Sequence, residues 1–396
     1  MHIGILAPEF PPAVGGMCAY AVGLATALAR TDRVTVYTLE GRGDPALPLE
    51  QKPILTRDLA AVATRLAGEQ PDVWCALNAA LASLAPRLDA PFAVTFNGND
   101  FLNPWIVFRR WWLEPFTTGR LRRTARRVRR AASRMDLDRG LDGTARIFAI
   151  STSSARLAEE IYPRHVRKIA IVPPGVDDGY FQLPLPCRSD GDASAPLRLL
   201  TVSRLEQWTR RKNVDGVLRA IQLLPPELIA SYVIVGDGDD RPRLERLAAE
   251  LGVSDRVRFA GRVNREELLR LYHASDLFLL AAQAGRNDVE GFGIVYLEAA
   301  AMGVPAICSR AGGAIDAVQD GVTGIILESS TPDAIAAGIL RFARARRQFD
   351  AARLREFAER FRWPRIAAMI RGGLGEIAVD QRAPQPERAT PALGSR

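Results

Sequence analysis

Short apolar runs bounded by turn residues alternate with helical patterns through most of the 396-residue chain. In the first half the runs Ile3–Ala7, Arg33–Tyr37, Val73–Ala76, Phe92–Phe96 and Arg146–Ile150 have the length of buried strands. Helical stretches such as Ala19–Ala29 and Ser153–Ile161 separate them. The alternation breaks at Pro173-Pro174-Gly175 and stays Pro-rich and polar as far as Pro196. It restarts with Leu197–Val202, Tyr232–Val235, Val257–Phe259, Leu277–Leu280 and Pro305–Cys308.

Strands that alternate with helices pair in parallel, through right-handed crossovers. Two such series predict an α/β chain of two Rossmann-like domains whose parallel sheets face each other across a cleft. The expected boundaries are 1–173 for the first domain, 174–196 for a linker and 197–362 for the second domain. A helix over about 363–380 is expected to pack back on the first domain. Residues 381–396, rich in Pro, Ala and charge without periodicity, read as a disordered tail. Ligands of such folds bind in the cleft, outside the carboxyl ends of the strands.

Composition narrows the class. Hydrophobic residues make up 47% and charged residues 25%, an ordinary globular balance. No stretch approaches the roughly 18 apolar residues of a membrane span. The first apolar run ends at Pro8, too soon for a signal peptide. Cys18, Cys75, Cys187 and Cys308 are widely spaced without a CxxC pair, which argues against structural zinc or a disulfide framework and for a reducing, cytoplasmic compartment.

The net charge of +8 is local. Ten arginines and one acid, Glu114, fall between Arg109 and Arg134, so this segment carries +9 and the remainder about −1. Phe101, Trp105, Phe108 and Trp112 recur at helical spacing after Asn103-Pro104, and Leu121, Ala125, Val128 and Ala132 form a narrower stripe among the arginines. One reading packs the stripes on the first domain and leaves the arginines solvated. The other makes Arg109, Arg110, Trp111, Trp112, Arg122, Arg123, Arg126, Arg127, Arg129 and Arg130 a surface for anionic lipid headgroups. No recognition motif for nucleic acid accompanies the charge.

Candidate chemistry gathers at strand ends. Gly15 and Gly16, between the first strand and its helix, let backbone N–H groups approach an anion. The segment is not a G-x-G-x-x-G fingerprint, so a dinucleotide is poorly supported. Arg204, then Arg210-Arg211-Lys212, follow the first strand of the second half and suit a diphosphate. Val235–Asp239 reads as a strand–helix turn, and Gly261-Arg262-Val263 lies where backbone groups meet a flat base. The strongest constellation is Asp288–Ala299. There Glu290, Gly291, Phe292 and Gly293 approach a helix over Ile294–Met302 that carries Glu298 one turn in. Its N-terminal amides favour phosphate or sugar hydroxyls.

These segments together resemble family-4 retaining glycosyltransferases of the GT-B fold over nearly the whole chain. The specific part is the E-x7-E motif from Glu290 to Glu298 within VEGFGIVYLEAAAMGVPAI, supported by PPAVGGM, VGDGDDRPRLE, VRFAGRV and AGGAIDAVQDGVTG. The resemblance implies that Gly15 and Gly16 cover a diphosphate held by Arg204 and Lys212. It puts the ribose on Glu298 and the transferred sugar on Glu290, with the Phe292, Gly293 and Ile294 backbone beside it. Arg262 and Val263 would lie along the base. It further implies retention by front-side attack, without metal or other cofactor.

The expected donor is a GDP- or UDP-hexose, mannose first, because DVEGFGIVYLEAAA is similar to the same stretch of phosphatidylinositol mannosyltransferases. The expected acceptor is lipid-linked or a glycan, at the cytoplasmic face of the membrane. Two departures stand out. Asn97 replaces the family's histidine, leaving Asp100 as the nearest candidate base. Gln207-Trp208-Thr209 lengthens the spacing from Arg204 to Lys212, so Arg210 or Arg211 is a candidate to share their role. Two other readings remain in view: a catalytically silent GT-B scaffold, suggested by Asn97, and a nucleotide-sugar epimerase.

Overall fold

The structure, a computed structural model, describes residues 1–56, 58–104, 119–186, 195–285 and 289–380, and within 119–130 the backbone only. Strands β1 (His2–Ala7), β2 (Arg33–Leu39), β3 (Glu50–Leu55), β4 (Val73–Ala76), β5 (Phe92–Phe96), β6 (Arg146–Ala149) and β7 (Ile169–Ile171) form one sheet in the order β3-β2-β1-β4-β5-β6-β7. Strands β8 (Leu197–Val202), β9 (Ile229–Val235), β10 (Val257–Gly261), β11 (Leu277–Leu280), β12 (Ala306–Ser309) and β13 (Gly324–Leu327) form a second, β10-β9-β8-β11-β12-β13. Every pair is parallel.

In both sheets the chain winds outward one way from its first strand, then the other. The loops that diverge from β1 and β4, and from β8 and β11, therefore leave a crevice at the strands' carboxyl ends. The candidate segments after β1, β8 and β11 all sit at such ends.

Two strands escape the hydrophobic pattern, β3 and β7, and they are the two edges of the first sheet. An edge strand has one partner and is less covered, so its text carries polar residues or shrinks. Glu50-Gln51-Lys52-Pro53 is mostly exposed or half-buried, and its Pro is tolerated where only one ladder must be served.

The last helix, Trp363–Asp380, lies against the first sheet although it follows the second. Its Ile366, Ile370 and Leu374 join Ile3, Ile5, Tyr20 and Leu24 in one buried cluster. The Trp363 indole fills the space over Gly23 and Gly175, where a Cβ would stand 2.1 and 2.3 Å from the ring. Arg371 pairs with Asp32, and Arg146 of β6 with Glu376.

The arginine-rich segment is helical over Gly119–Asp142, and its far end is tied down. Leu137 and Leu141 are buried in the first half's core, while Lys168 Nζ donates to the Leu141 carbonyl at 2.7 Å. Asp138 accepts from Arg164 at 2.6 Å and lies 3.0 Å from the His165 ring. Among the described residues no helix is long and apolar enough to cross a membrane.

Candidate functional site

Glu290 sits in a loop that four glycines make possible. Gly293 has φ +83° and starts the helix Ile294–Ala301; a side chain there would meet the Tyr296 ring at 2.4 Å. Gly291 presses on the Asn97 carbonyl of the first half, 2.5 Å from where a Cβ would stand. Behind, Gly312 and Gly313 lie so close that a Cβ on either would stand 2.2 Å from the Glu290 carbonyl and 2.1 Å from that of Gly291. Gly313 N–H also donates to the Glu290 carbonyl at 2.8 Å. The loop is thus clamped between the two halves of the molecule. Two polar links reinforce the clamp. Val289 N–H donates to Asn99 Oδ1 at 3.0 Å, and Asp316 accepts from the N–H and hydroxyl of Thr152, each at 2.6 Å.

The Glu290 carboxylate is nearly buried and meets two cations from consecutive residues. Lys212 Nζ donates to Oε2, and Arg211 Nη1 donates to the same oxygen at 3.0 Å. Burial alone would raise this carboxyl, but the charges and hydrogen bonds of Lys212 and Arg211 outweigh it and hold its pKa below the ordinary value. Burial in turn pushes the Lys212 ammonium down, with Glu290 opposing. The result is a preassembled group of two positive charges and one negative at the head of the helix that carries Glu298.

Glu298 faces a different environment. Burial raises its carboxyl to about 7, against hydrogen bonds from the Tyr272 and Tyr180 hydroxyls. The Tyr272 bond is 2.9 Å. Arg265 stacks over the Tyr180 ring at 5.4 Å and pairs with Asp177. Tyr180, Tyr272 and Arg265 carry no signal in the sequence: Tyr272 sits among helical apolar residues, and Tyr180 lies in the segment read as linker.

Arg204 does not reach Glu290. Its guanidinium lies 4.5 Å from the Trp208 ring centroid, half exposed, with Glu206 at 3.9 Å. Arg210 turns to Asp240 at 2.6 Å, so of the two candidates to share the role of Lys212 only Arg211 stands at Glu290. Across from Arg204, Glu9 follows β1 in the loop that leads to Gly15 and Gly16. Burial raises its carboxyl, and the charges of Arg204 and Arg42 oppose. Glu9 was not legible as a site residue, since one acid before a proline pair looks like any loop carboxylate. Gly15 has φ +143° at the start of the helix Gly16–Leu28, and neither glycine has a neighbour within 4 Å of a Cβ position. That open face leaves the amides free to approach a ligand. Arg262 is exposed and Val263 half-buried after β10, where Gly261 turns with φ +68°.

Asp100 is the nearest carboxylate to Asn97, but both its oxygens are spoken for. Oδ1 accepts from the Asn97 and Phe101 amides at 2.8 and 3.0 Å. Oδ2 accepts from the Ala79 amide at 2.9 Å and Asn97 Nδ2 at 3.2 Å. Burial raises its pKa to about 6 against those bonds. It braces the loop after β5. Asn97 Nδ2 also donates to the Leu77 carbonyl at 2.9 Å, while its buried Oδ1 has no partner among the described residues.

Arg109, Arg110, Trp111 and Trp112 lie outside the described residues. Arg122, Arg123, Arg126, Arg127, Arg129 and Arg130 fall on the helix Gly119–Asp142, their side chains likewise outside the description. Among the described residues no group of three or more His, Cys, Asp or Glu is placed to hold a metal.

Two doubly wound parallel sheets with a charged cleft between them define the GT-B class. Solved structures of that fold superpose on the whole chain. Sucrose-phosphate synthase from Thermosynechococcus elongatus does so with TM-score 0.73 at 19% identity, covering 97% of this chain and 100% of that one. Anabaena HepE in complex with UDP and glucose gives 0.67 at 20% identity, covering 95% and 100%. The chain belongs to the family-4 glycosyltransferases: residues 14–180 match the family profile described as Glycosyltransferase Family 4, and residues 191–361 match Glycosyl transferases group 1. It is therefore a glycosyltransferase. Among curated relatives, it is 29% identical over 366 residues to the GDP-mannose-dependent alpha-(1-6)-phosphatidylinositol monomannoside mannosyltransferase of Mycolicibacterium smegmatis, spanning 84% of this chain and 86% of that one. It is 32% identical over 266 residues to a D-inositol 3-phosphate glycosyltransferase of Geodermatophilus obscurus, spanning 62% and 55%.

Proposed function

We propose that this enzyme transfers mannose from GDP-mannose, with retention of configuration, to a lipid-linked acceptor of the phosphoinositide type. The carrying observation is the helix Ile294–Ala301 and the loop that leads into it: the helix holds Glu298 against two tyrosines, and the loop holds Glu290 against Lys212 and Arg211. Two carboxylates that far apart on one ligand's length suit a ribose and a sugar, with Gly15, Gly16, Arg204 and Lys212 around the diphosphate between them. Arg262 and Val263 border the base, and the Phe292, Gly293 and Ile294 amides face the sugar. Catalysis then rests on positioning and on neutralising the departing diphosphate, chemistry that demands no cofactor.

Mannose and the lipid acceptor are supported by the mannosyltransferases and inositol-directed enzymes among the relatives. Asn97 has no basic nitrogen and does not take a proton; its amide nitrogen is committed to Leu77 and Asp100. The arginines of Gly119–Asp142 and the segment before it favour docking on anionic lipid at the inner face of the cytoplasmic membrane.

The test is donor consumption with membrane extract present. GDP release from GDP-mannose and label entering the lipid fraction are the expected results. Turnover of UDP-sugars alone would refute the donor, and no turnover of any nucleotide sugar would refute the reading.

A further inference from the structure

The three residues that lengthen the spacing between Arg204 and Lys212 do more than separate them. They belong to a tight turn, Gln207–Lys212, that hydrogen bonds hold from several sides. Glu206 N–H donates to Thr209 Oγ1 at 3.1 Å, and that hydroxyl in turn donates to main-chain carbonyls. Gln207 N–H donates to Asp239 Oδ1 at 2.7 Å, and Arg210 pairs with Asp240 at 2.6 Å. Leu205 exchanges main-chain bonds with Asp237 and Asp240 at 3.0 and 2.8 Å. Gly238, with φ +157°, permits this approach, since a Cβ would stand 2.3 Å from the Leu205 carbonyl.

On this rigid mount Trp208 is 60% exposed and contributes nothing to the core. What its ring touches is the Arg204 guanidinium, 4.5 Å from the centroid. Among the described residues Arg204 otherwise has only the Glu206 carboxylate, at 3.9 Å, as an ion-pair partner, and its charge is felt by Glu9 of the loop that leads to Gly15 and Gly16. A long, half-exposed side chain left free would lose its rotamer freedom when it bound an anion. A ring that already restrains it removes part of that cost.

We propose that Trp208 is a positioning residue that holds Arg204 at the cleft mouth, ready for the diphosphate of the donor. Cation–π contacts at exposed sites set the expected effect at about two- to fivefold. The inference rests on the glycosyltransfer reading above.

The experiment measures GDP and UDP binding by calorimetry, and donor KM and kcat, for wild type, W208A, W208F, R204A and the R204A/W208A double variant. W208A is expected to weaken nucleotide binding and raise donor KM by about two- to fivefold, with an unchanged melting temperature. W208F should restore most of the loss, and adding W208A to R204A should cost nothing further. The inference is overturned if W208A matches wild type, or if it loses the same factor in the R204A background, because the ring would then act on its own. If wild type binds neither GDP nor UDP, the glycosyltransfer reading fails and takes the inference with it. If wild type binds one of them and W208A binds it equally, the inference alone fails.

Discussion

Two carboxylates, Glu290 in the loop before the helix Ile294–Ala301 and Glu298 on that helix, titrate in opposite directions, and the difference comes from what faces them. Glu298 has neutral hydroxyls beside it, so burial prevails and its pKa rises to about 7. Glu290 has two cations, and its pKa falls. In the proposed ribose role of Glu298, the carboxylate is ionised above pH 7 and free to accept two hydroxyls, and below it a proton occupies one of those sites. Donor affinity is therefore present above 7 and lost as pH falls, by about tenfold between pH 8 and pH 6. Donor KM across that range tests this, and E298Q should flatten the dependence. For Glu290, E290Q leaves Arg211 and Lys212 side by side without a counter-charge. Removing one partner of a buried pair costs on the order of 3–5 kcal/mol. A lower denaturation midpoint for E290Q is expected, partly restored by GDP, whose diphosphate supplies the missing negative charge.

The motif helix works because of the loops that crowd its start. Gly313 is the sharpest case, with a would-be Cβ 2.1 Å from the Gly291 carbonyl and 2.8 Å from the Ser151 side chain. G313A must displace the loop that carries Glu290, and activity should fall by at least tenfold even where the protein stays folded. Gly372 is the contrast: it sits exposed on the helix Trp363–Asp380 with nothing within 4 Å of a Cβ. G372A should raise stability by about 0.5–1 kcal/mol and leave kinetics alone. Measuring both variants by urea unfolding and turnover separates a glycine needed for approach from one that is merely tolerated.

At the scale of the whole molecule the chain crosses from one half to the other twice, and the second crossing ends in a helix that completes the first half's core. Trp363 is its anchor, 7% exposed between Gly23, Gly175 and Tyr20. W363A should cost about 3–5 kcal/mol, seen as a lowered melting temperature with early exposure of the first sheet to hydrogen exchange. The contacts of Asp316 with Thr152 and of Val289 with Asn99 hold the halves together at the cleft itself.

What the sequence determined by itself is the set of interior strands, the class of fold and the donor motif. Buried parallel strands must be unbroken apolar runs, and a helix that begins after Glu290-Gly-Phe-Gly with Glu298 one turn in is readable from spacing. The edge strands β3 and β7 were not readable, because half-covered strands need no such run. Only the tertiary structure decided which cation meets which carboxylate. Arg204, Arg210, Arg211 and Lys212 look equivalent as text, yet their side chains leave the turn towards Trp208, Asp240 and Glu290. The same holds for Tyr180 and Tyr272, which come from distant parts of the chain and meet at Glu298. Local spacing encodes the face of a helix; a pairing across a cleft is set by where two separately folded loops come to rest.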